Sequence, residues 1–208
     1  MEIITQALDL LAADGVSVPL RAADRLERHA ALVREWNAYA SLVSQGDLDH
    51  LLARHTVDAL SLAGVVRRAA GAGGMLLDIG SGGGFPALPL KVVLPELPVV
   101  LLERSAKKVG VLRRMLVALG LDDVDLRQAE FPRDVAGLLP GVVTARAVER
   151  PGLIWRGMAG WLRAGTVFLD QTGDVSGVDR AMFHVEHVLD AWSAAGLRRG
   201  ELYRVTRR

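Results

Sequence analysis

The chain has 208 residues, half of them apolar, and a formal net charge of +1 at pH 7. This length suits one domain with an extension, and the apolar content is enough for a sizeable core. A near-zero charge gives no overall attraction to nucleic acid, so any basic surface must be local. The chain contains no cysteine, which excludes disulfides, thiolate zinc sites and the thiolate nucleophile that carbon-5 methylation of pyrimidines requires.

Residues 1–70 carry apolar side chains at helical spacing, with turn signals at Asp14-Gly15 and at residues 44–47. We therefore predict an N-terminal helical extension over residues 1–70 and a second domain over residues 71–208. The sequence shows no signal-peptide pattern and no apolar run long enough to cross a membrane. These features predict a cytoplasmic protein without membrane contacts, and we expect it to be a monomer.

From Met75 onward, short apolar runs alternate with segments of helical periodicity. Five strands are predicted, at residues 75–79, 99–102, 124–126, 142–145 and 166–169. Helices are predicted between them, most clearly at residues 106–119 and 153–162. This alternation predicts an α/β fold in which helices cover both faces of a mostly parallel sheet.

The first predicted strand runs directly into a glycine-rich loop, Gly80-Ser81-Gly82-Gly83-Gly84. Glycine lacks a Cβ atom and tolerates positive φ, so such a loop lets backbone amides approach a ligand closely. Dinucleotide-binding loops share this pattern, and the spacing Gly82-x-Gly84-x-x-Ala87 fits them. Asp78 lies just before the loop, where its carboxylate would repel a pyrophosphate and attract a cationic ligand such as S-adenosylmethionine (AdoMet). The loop therefore favours a methyltransferase over a dehydrogenase.

Three further positions lie at the ends of predicted strands, and parallel sheets bind ligands outside the carboxyl ends of their strands. Glu103 is placed to accept the ribose hydroxyls of a cofactor, or to pair with a basic neighbour at the surface. Ala129 and Glu130 offer backbone for an adenine ring, or form an ordinary loop. Arg146 faces a carboxylate, a nucleic-acid phosphate or a partner in a surface salt bridge.

Other polar residues give weaker indications of a functional site. His55 and Asp58 share one helical face, and we interpret them as a packing pair rather than a catalytic one. His184 and His187 have no further ligands nearby in the sequence, so no metal site is expected. The basic residues between positions 104 and 114 fit RNA contacts and a solvated helix face equally well.

The glycine loop and the residues that follow it resemble one enzyme family. Residues 77–91 read Leu-Asp-Ile-Gly-Ser-Gly-Gly-Gly-Phe-Pro-Ala-Leu-Pro-Leu-Lys, which is similar to the small-subunit ribosomal RNA methyltransferases G, also called glucose-inhibited division protein B. The Phe-Pro-x-x-Pro-Leu continuation from Phe85 makes the match specific, because methyltransferases in general lack it. Further similar segments are residues 36–37, 54–60, 104–109, 119–121, 129–130 and 144–147.

The resemblance implies a Rossmann-like class I AdoMet-dependent methyltransferase that modifies N7 of a guanosine in 16S rRNA, within the 30S subunit or an assembly intermediate. It implies AdoMet contacts at five positions: Gly80, Phe85, Ala129, Glu130 and Arg146. Asp78, Gly82 and Glu103 come from the residue pattern itself and complete the predicted site. Because guanine N7 carries a lone pair and no proton, no catalytic side chain is expected.

The sequence also departs from the family. Residues 40–43 read Ala-Ser-Leu-Val where the family usually has Asn-Leu-Thr, and residues 169–172 read Leu-Asp-Gln-Thr where it usually has Ala-Leu-Lys-Gly. The tail over residues 198–208 is also unlike the family's usual ending and leaves room for one further strand. Three alternatives therefore stay open: a small-molecule methyltransferase, an AdoMet-binding assembly factor without methyl transfer, and an NAD-binding oxidoreductase.

Overall fold

A seven-stranded sheet forms the centre of the molecule. The computed structural model describes residues 2–71, 74–146, 151–171 and 173–208, so Ala147 and Thr172, quoted above within sequence segments, lie outside the described residues. The strands are β1 (Leu76–Ile79), β2 (Val99–Glu103), β3 (Asp125–Gln128), β4 (Val142–Ala145), β5 (Val167–Asp170), β6 (Phe183–His187) and β7 (Tyr203–Arg207). Their order is β3-β2-β1-β4-β5-β7-β6, and β7 runs antiparallel to both of its neighbours.

The burial of the inner strands explains why their positions could be predicted from the sequence. Every residue of β1, β2, β4 and β5 is buried, as expected for parallel strands covered by helices on both faces. The edge strand β3 is mostly exposed, so its short apolar signal was weaker. The predicted α/β fold with a mostly parallel sheet is confirmed, and the five predicted strands match within one or two residues.

Helices cover both faces of the sheet. They are α1 (Glu2–Ala13), α2 (Ala22–Ala40), α3 (Val57–Leu60), α4 (Ala63–Ala70), α5 (Ala87–Val93), α6 (Ala106–Leu119), α7 (Pro151–Trp161) and α8 (Ala191–Ala194). Helices α1 to α6 share one buried apolar cluster with the sheet, whereas α7 packs in a second cluster. The N-terminal helices are thus continuous with the core, and their division from the rest at residue 70 stays a prediction.

The chain between α2 and α3 is less regular than the apolar spacing predicted. A 3₁₀ turn at Gln45–His50 and a π-helical turn at Leu52–Thr56 replace a continuous helix. Apolar spacing does not distinguish these turns from an α-helix, because each spans only five or six residues and contains too few apolar positions to define a period. Turns of the π type are frequent at functional sites. No helix in the described part of the chain is long and apolar enough to cross a membrane.

The C-terminal region adds two strands to the five predicted ones. Strand β7 accounts for the one strand expected in the tail and inserts between β5 and β6. Strand β6 was not predicted, because polar residues (His184, Glu186 and His187) dominate it at the exposed edge of the sheet. The buried Arg198 fastens this region to the helical layer: its guanidinium donates to the Ser61 carbonyl at 3.0 Å and pairs with Asp190 at 2.6 Å.

Candidate functional site

The glycine loop lies at the carboxyl end of β1, in the middle of the sheet. The amides of Gly80 and Ser81 both donate to the Leu102 carbonyl, at 2.8 and 3.1 Å, which ties the loop to β2. Gly80 has φ of +72°, and a Cβ atom added there would meet nothing within 4 Å. Gly84 has φ of +84°, but its Cβ would come within 2.5 Å of the Leu88 side chain. Gly84 therefore serves packing, whereas Gly80 leaves open space for a ligand.

Glu103, the last residue of β2, braces this loop. Its carboxylate is buried and accepts hydrogen bonds from the Gly82 amide at 3.0 Å and from the Ser105 amide at 2.8 Å. The alternative of a glutamate at the surface is therefore wrong, because the residue is only 5% exposed. A carboxylate has about four lone-pair sites, so two backbone donors leave capacity for a ribose hydroxyl.

Asp78 is buried within β1, with an exposed fraction of 1%. One carboxylate oxygen accepts the Thr144 hydroxyl at 2.7 Å, while the other, Oδ2, is buried without a hydrogen-bond partner. Burial raises the pKa of this carboxyl to about 7. The group is thus poised between its neutral and charged forms near pH 7, and a cation beside Oδ2 would favour the charged form.

Arg146 follows β4 and occupies the centre of a polar cluster. Its Nη2 donates to the Arg54 carbonyl at 3.0 Å and lies 3.3 Å from Asp58 Oδ2. Its Nη1 is buried and has no partner. Asp58 also accepts from the Gln171 side chain at 3.2 Å and the Arg199 amide at 2.9 Å, while burial raises the pKa of Asp58. The contacts of Nη2 therefore hold Arg146 in place, while Nη1 can donate to a ligand.

This cluster corrects the prediction made for His55 and Asp58. Asp58 pairs with Arg146, whereas His55 Nε2 lies 3.5 Å from Asp47 Oδ2. The predicted packing pair is thus absent: Asp58 is ion-paired with Arg146, whereas the neutral His55 ring lies near Asp47 without a hydrogen bond. The cause is the π-helical turn containing His55, which changes the spacing of side chains around the helix axis just before Asp58.

Phe85 lies between two imidazole rings, a feature that the sequence reading missed. Its ring centre is 4.6 Å from that of His29 and 5.1 Å from that of His55. His29 Nε2 lies 2.8 Å from the Gly83 carbonyl and must donate to it, which leaves the buried Nδ1 without a partner. Burial lowers the pKa of both histidines to about 4, so both rings are neutral at pH 7. The available signal was His29 itself, a polar residue on the buried face of α2.

Ala129 and Glu130 follow β3 and adjoin Glu103. The Ala129 amide donates to the Glu103 carbonyl at 3.1 Å. The Glu130 carboxylate is partly exposed and pairs with Arg133 at 2.6 Å and with Arg104 at 3.7 Å. The backbone of this segment therefore lies at the edge of the site, while the Glu130 carboxylate is engaged in ion pairs. Across the described residues, no cluster of three potential metal ligands occurs.

Most of the buried polar atoms that lack partners belong to residues linked to the glycine loop or to Arg146. In the described part of the chain they are His29 Nδ1, His55 Nε2, Thr56 Oγ1, Asp78 Oδ2, Arg146 Nη1 and Gln171 Oε1. Three belong to residues in or directly after β1, β4 and β5. The other three come from helical segments, where His29 and His55 contact Phe85 and Thr56 follows His55. Buried polar groups are normally hydrogen-bonded, so this concentration indicates a site for a ligand with both cationic and anionic groups.

The sheet order, the glycine loop after β1 and the acidic residue ending β2 define a Rossmann-like fold of the class I AdoMet-dependent methyltransferases. Two solved structures share the fold. A variant of MtNAS in complex with S-adenosylmethionine has a TM-score of 0.62 at 18% identity, covering 88% of this chain and 72% of that one. The methyltransferase PaMTH1 of Podospora anserina, bound to SAH, has a TM-score of 0.61 at 14% identity, covering 89% and 88%.

Comparison of the sequence with known proteins identifies the family of the chain. The family model for the rRNA small subunit methyltransferase G matches residues 22–176, and the chain belongs to that family. It is 39% identical to the "Ribosomal RNA small subunit methyltransferase G" of Roseiflexus sp. over 64% of this chain and 58% of the relative. It is 37% identical to the protein of the same name from Halorhodospira halophila, over 74% of this chain and 70% of the relative. The matched region thus spans between about half and three quarters of these relatives.

Proposed function

We propose that this chain transfers a methyl group from AdoMet to N7 of a guanosine in 16S rRNA. Membership of the rRNA small subunit methyltransferase G family supports the class of reaction and substrate. The single structural observation that carries the cofactor assignment is the set of unpartnered buried polar atoms on residues at the glycine loop and around Arg146. The guanine N7 position rests on the family resemblance.

The residues of the site fit AdoMet in charge. Asp78 Oδ2 suits the cationic ammonium group, and Arg146 Nη1 suits the carboxylate of the methionine part. The Glu103 carboxylate has capacity for ribose hydroxyls, and the space at Gly80 accepts a ligand against the backbone. Ala129 and Glu130 would line the adenine side, beside Glu103. Gly82, whose amide is held by Glu103, and Phe85 would shape the loop.

The chain's own residues would act by orientation and by exclusion of water. AdoMet, when bound, supplies an electrophilic methyl group on a sulfonium. A guanine N7 has no proton to lose, so the chain needs no general base, and the neutral His29 and His55 need not titrate. Phe85 and the two imidazoles form a packed aromatic wall beside the loop, with His29 and Phe85 buried and His55 partly exposed. Fixed geometry in a site with little water is the main contribution that such a wall makes to methyl transfer.

The decisive experiment incubates the purified chain with methyl-tritiated AdoMet and 30S subunits from a strain that lacks this modification. We expect label on a guanosine N7, mapped by cleavage at the modified base, and no label with heat-inactivated chain. Transfer to no guanosine N7 would contradict the proposal. AdoMet binding without any transfer would favour the assembly factor, and a melting temperature raised by NADH but not AdoMet would favour the oxidoreductase.

A further inference from the structure

Helices α2 and α6 carry an aromatic and basic surface that the cofactor site does not use. On α2, the rings of Trp36 and Tyr39 meet edge to face with centres 6.1 Å apart. From α6, Lys107 Nζ lies 4.5 Å from the centre of the Tyr39 ring, and the Arg114 guanidinium lies 5.3 Å from that of Trp36. We call these four residues the aromatic–basic stripe.

The stripe begins at the rim of the candidate site. Helix α2 ends at Ala40, and the side chain of Leu42 then packs within 3.3 Å of a Cβ position built on Gly83 in the glycine loop. Helix α6 begins three residues after Glu103, the residue that braces the same loop. Tyr39 and Lys107 therefore lie close to the loop, and Arg114 lies two helical turns, about 10 Å, further along α6.

The α6 side of this surface carries charge of one sign only. Helix α6 contains four basic residues, Lys107, Lys108, Arg113 and Arg114, and no acidic residue. Tyr39 is 54% exposed and is the one aromatic residue among the strongly exposed large apolar side chains in the described ranges. Lys107 lies over its ring, yet more than half of the side chain stays accessible. The surface thus combines the exposed Tyr39 ring and the partly exposed Trp36 ring with cations that lie over them.

We propose that the aromatic–basic stripe binds single-stranded RNA beside the nucleotide that enters the site. Bases would stack on Tyr39 and Trp36, while Lys107 and Arg114 would turn from the rings to neighbouring phosphates. Aromatic side chains interleaved with cations are the usual platform for single-stranded nucleic acid, because every base has a π face and every nucleotide a charge. The proposal rests on the proposed function for the nature of the substrate, and on the structure for the location of the surface.

The basic half of the stripe is tested by salt dependence. The probe is a fluorescein-labelled single-stranded RNA oligonucleotide of mixed sequence, and its affinity is measured by anisotropy over a range of salt concentrations. Removing two phosphate contacts with K107A/R114A should reduce the slope of log K against log salt by about 1.4. The matched control R68A/R163A removes two exposed cations near the amino ends of the strands and should leave the slope unchanged. Equal slopes for the two double variants would overturn the proposal.

The aromatic half is tested at Tyr39, which is exposed enough to be replaced without loss of the fold. Tyr39→Ala should weaken oligonucleotide binding about tenfold, whereas Tyr39→Phe keeps the ring and should stay within about twofold of the wild type. AdoMet affinity should be the same in all three proteins. Unchanged RNA affinity in Tyr39→Ala would overturn stacking.

Two results separate this surface from the proposed function. If the wild-type chain methylates 30S subunits but the stripe variants keep their RNA affinity, the stripe is wrong and the function stands. If the wild type methylates no guanosine but the variants lose oligonucleotide affinity, the function is wrong and the stripe stands. Loss of binding to intact 30S particles, with unchanged binding to the oligonucleotide and to protein-free 16S rRNA, would assign the surface to a ribosomal protein and overturn the RNA proposal.

Discussion

The two ends of the sheet differ in a way that supports the candidate site at the carboxyl end. At the amino ends of β1 and β2 lies a cavity of about 690 Å³, lined by residues such as Val16, Pro19, Val93 and Pro98. No residue lining it contributes to the unpartnered buried polar atoms of the described chain, most of which belong to residues linked to the glycine loop or to Arg146. Volume alone marks a place where chain segments meet imperfectly. Several unsatisfied polar groups close together favour a binding site for a polar ligand.

Two basic residues show the same contrast at the scale of side chains. Lys91 is buried, donates to the carbonyls of Pro95 and Leu97 and pairs with Asp123 at 2.6 Å, so its donors are fully used. Arg146 is only partly buried, yet its Nη1 atom is inaccessible to solvent and has no partner. Both lie in segments that resemble the family, and the geometry assigns Lys91 to the fold and Arg146 to the site.

The largest effect is expected from Asp78→Asn. The amide keeps a carbonyl oxygen for the Thr144 hydroxyl and nearly the same volume, but it has no charge for a cationic ligand. A lost charge-assisted hydrogen bond in a buried site is worth about 2–3 kcal/mol, so AdoMet affinity should fall about 100-fold. Calorimetric titration with AdoMet measures it, with the melting temperature as the control for folding.

The pH dependence sharpens this prediction. Since burial raises the pKa of Asp78 to about 7, the free site is largely protonated below pH 6 and largely charged above pH 8. Only the charged form attracts the ammonium group, so wild-type AdoMet affinity should rise with pH through this window and approach a plateau above it. Asp78→Asn should lack this rise. An identical dependence of AdoMet affinity on pH in both proteins would show that Asp78 does not bind the ammonium group.

Arg146→Met and Lys91→Met should differ in their effect on AdoMet affinity. Arg146→Met should reduce this affinity about tenfold or more, because it removes the donor proposed for the AdoMet carboxylate, and it should also lower stability by leaving Asp58 without its ion-pair partner. Lys91→Met leaves two carbonyls unpaired and should lower the free energy of unfolding by about 2–3 kcal/mol, while AdoMet affinity of the folded protein stays near that of the wild type. Titration and thermal unfolding of both variants are the measurements. An equal loss of AdoMet affinity in both variants would contradict the assignment of Lys91 to the fold and of Arg146 to the candidate site.

His29 is expected to make stability depend on pH. Burial lowers its pKa from 6.5 to about 4, so the unfolded chain binds its proton first as the pH falls. The stability that depends on the neutral ring is complete above pH 6.5 and declines toward pH 4, by up to about 3 kcal/mol. His29→Gln, which still offers a donor to the Gly83 carbonyl, should show a shallower decline in urea unfolding between those pH values. If the free energy of unfolding of the two proteins declined equally between those pH values, His29 would not be a buried neutral histidine.

Features that depend on local sequence, such as the strands and the glycine loop, could be predicted. The parts of the candidate site that depend on contacts between distant residues could not. Strands buried on both faces, such as β1 and β4, are apolar without interruption, and the glycine loop follows from local backbone needs. The site residues at strand ends followed from topology. The contact of His29 with Phe85, and the pairing of Asp58 with Arg146, join residues far apart in the chain. No local pattern encodes such contacts, and the π-helical turn that redirects His55 has no distinct periodicity.

The smallest effect is expected at the amino-end cavity, and it tests the comparison of the two ends directly. Ser17 is exposed and lines that cavity, so Ser17→Tyr should fill space without touching the cofactor. AdoMet affinity should stay within about twofold, as for surface changes of up to 0.5 kcal/mol. The matched change Ala129→Tyr puts the same ring at the site edge, beside Glu103, and should weaken AdoMet about tenfold. A tenfold loss from Ser17→Tyr would mean that the amino-end cavity takes part in cofactor binding, because that side chain lies at the opposite end of the strands from the glycine loop.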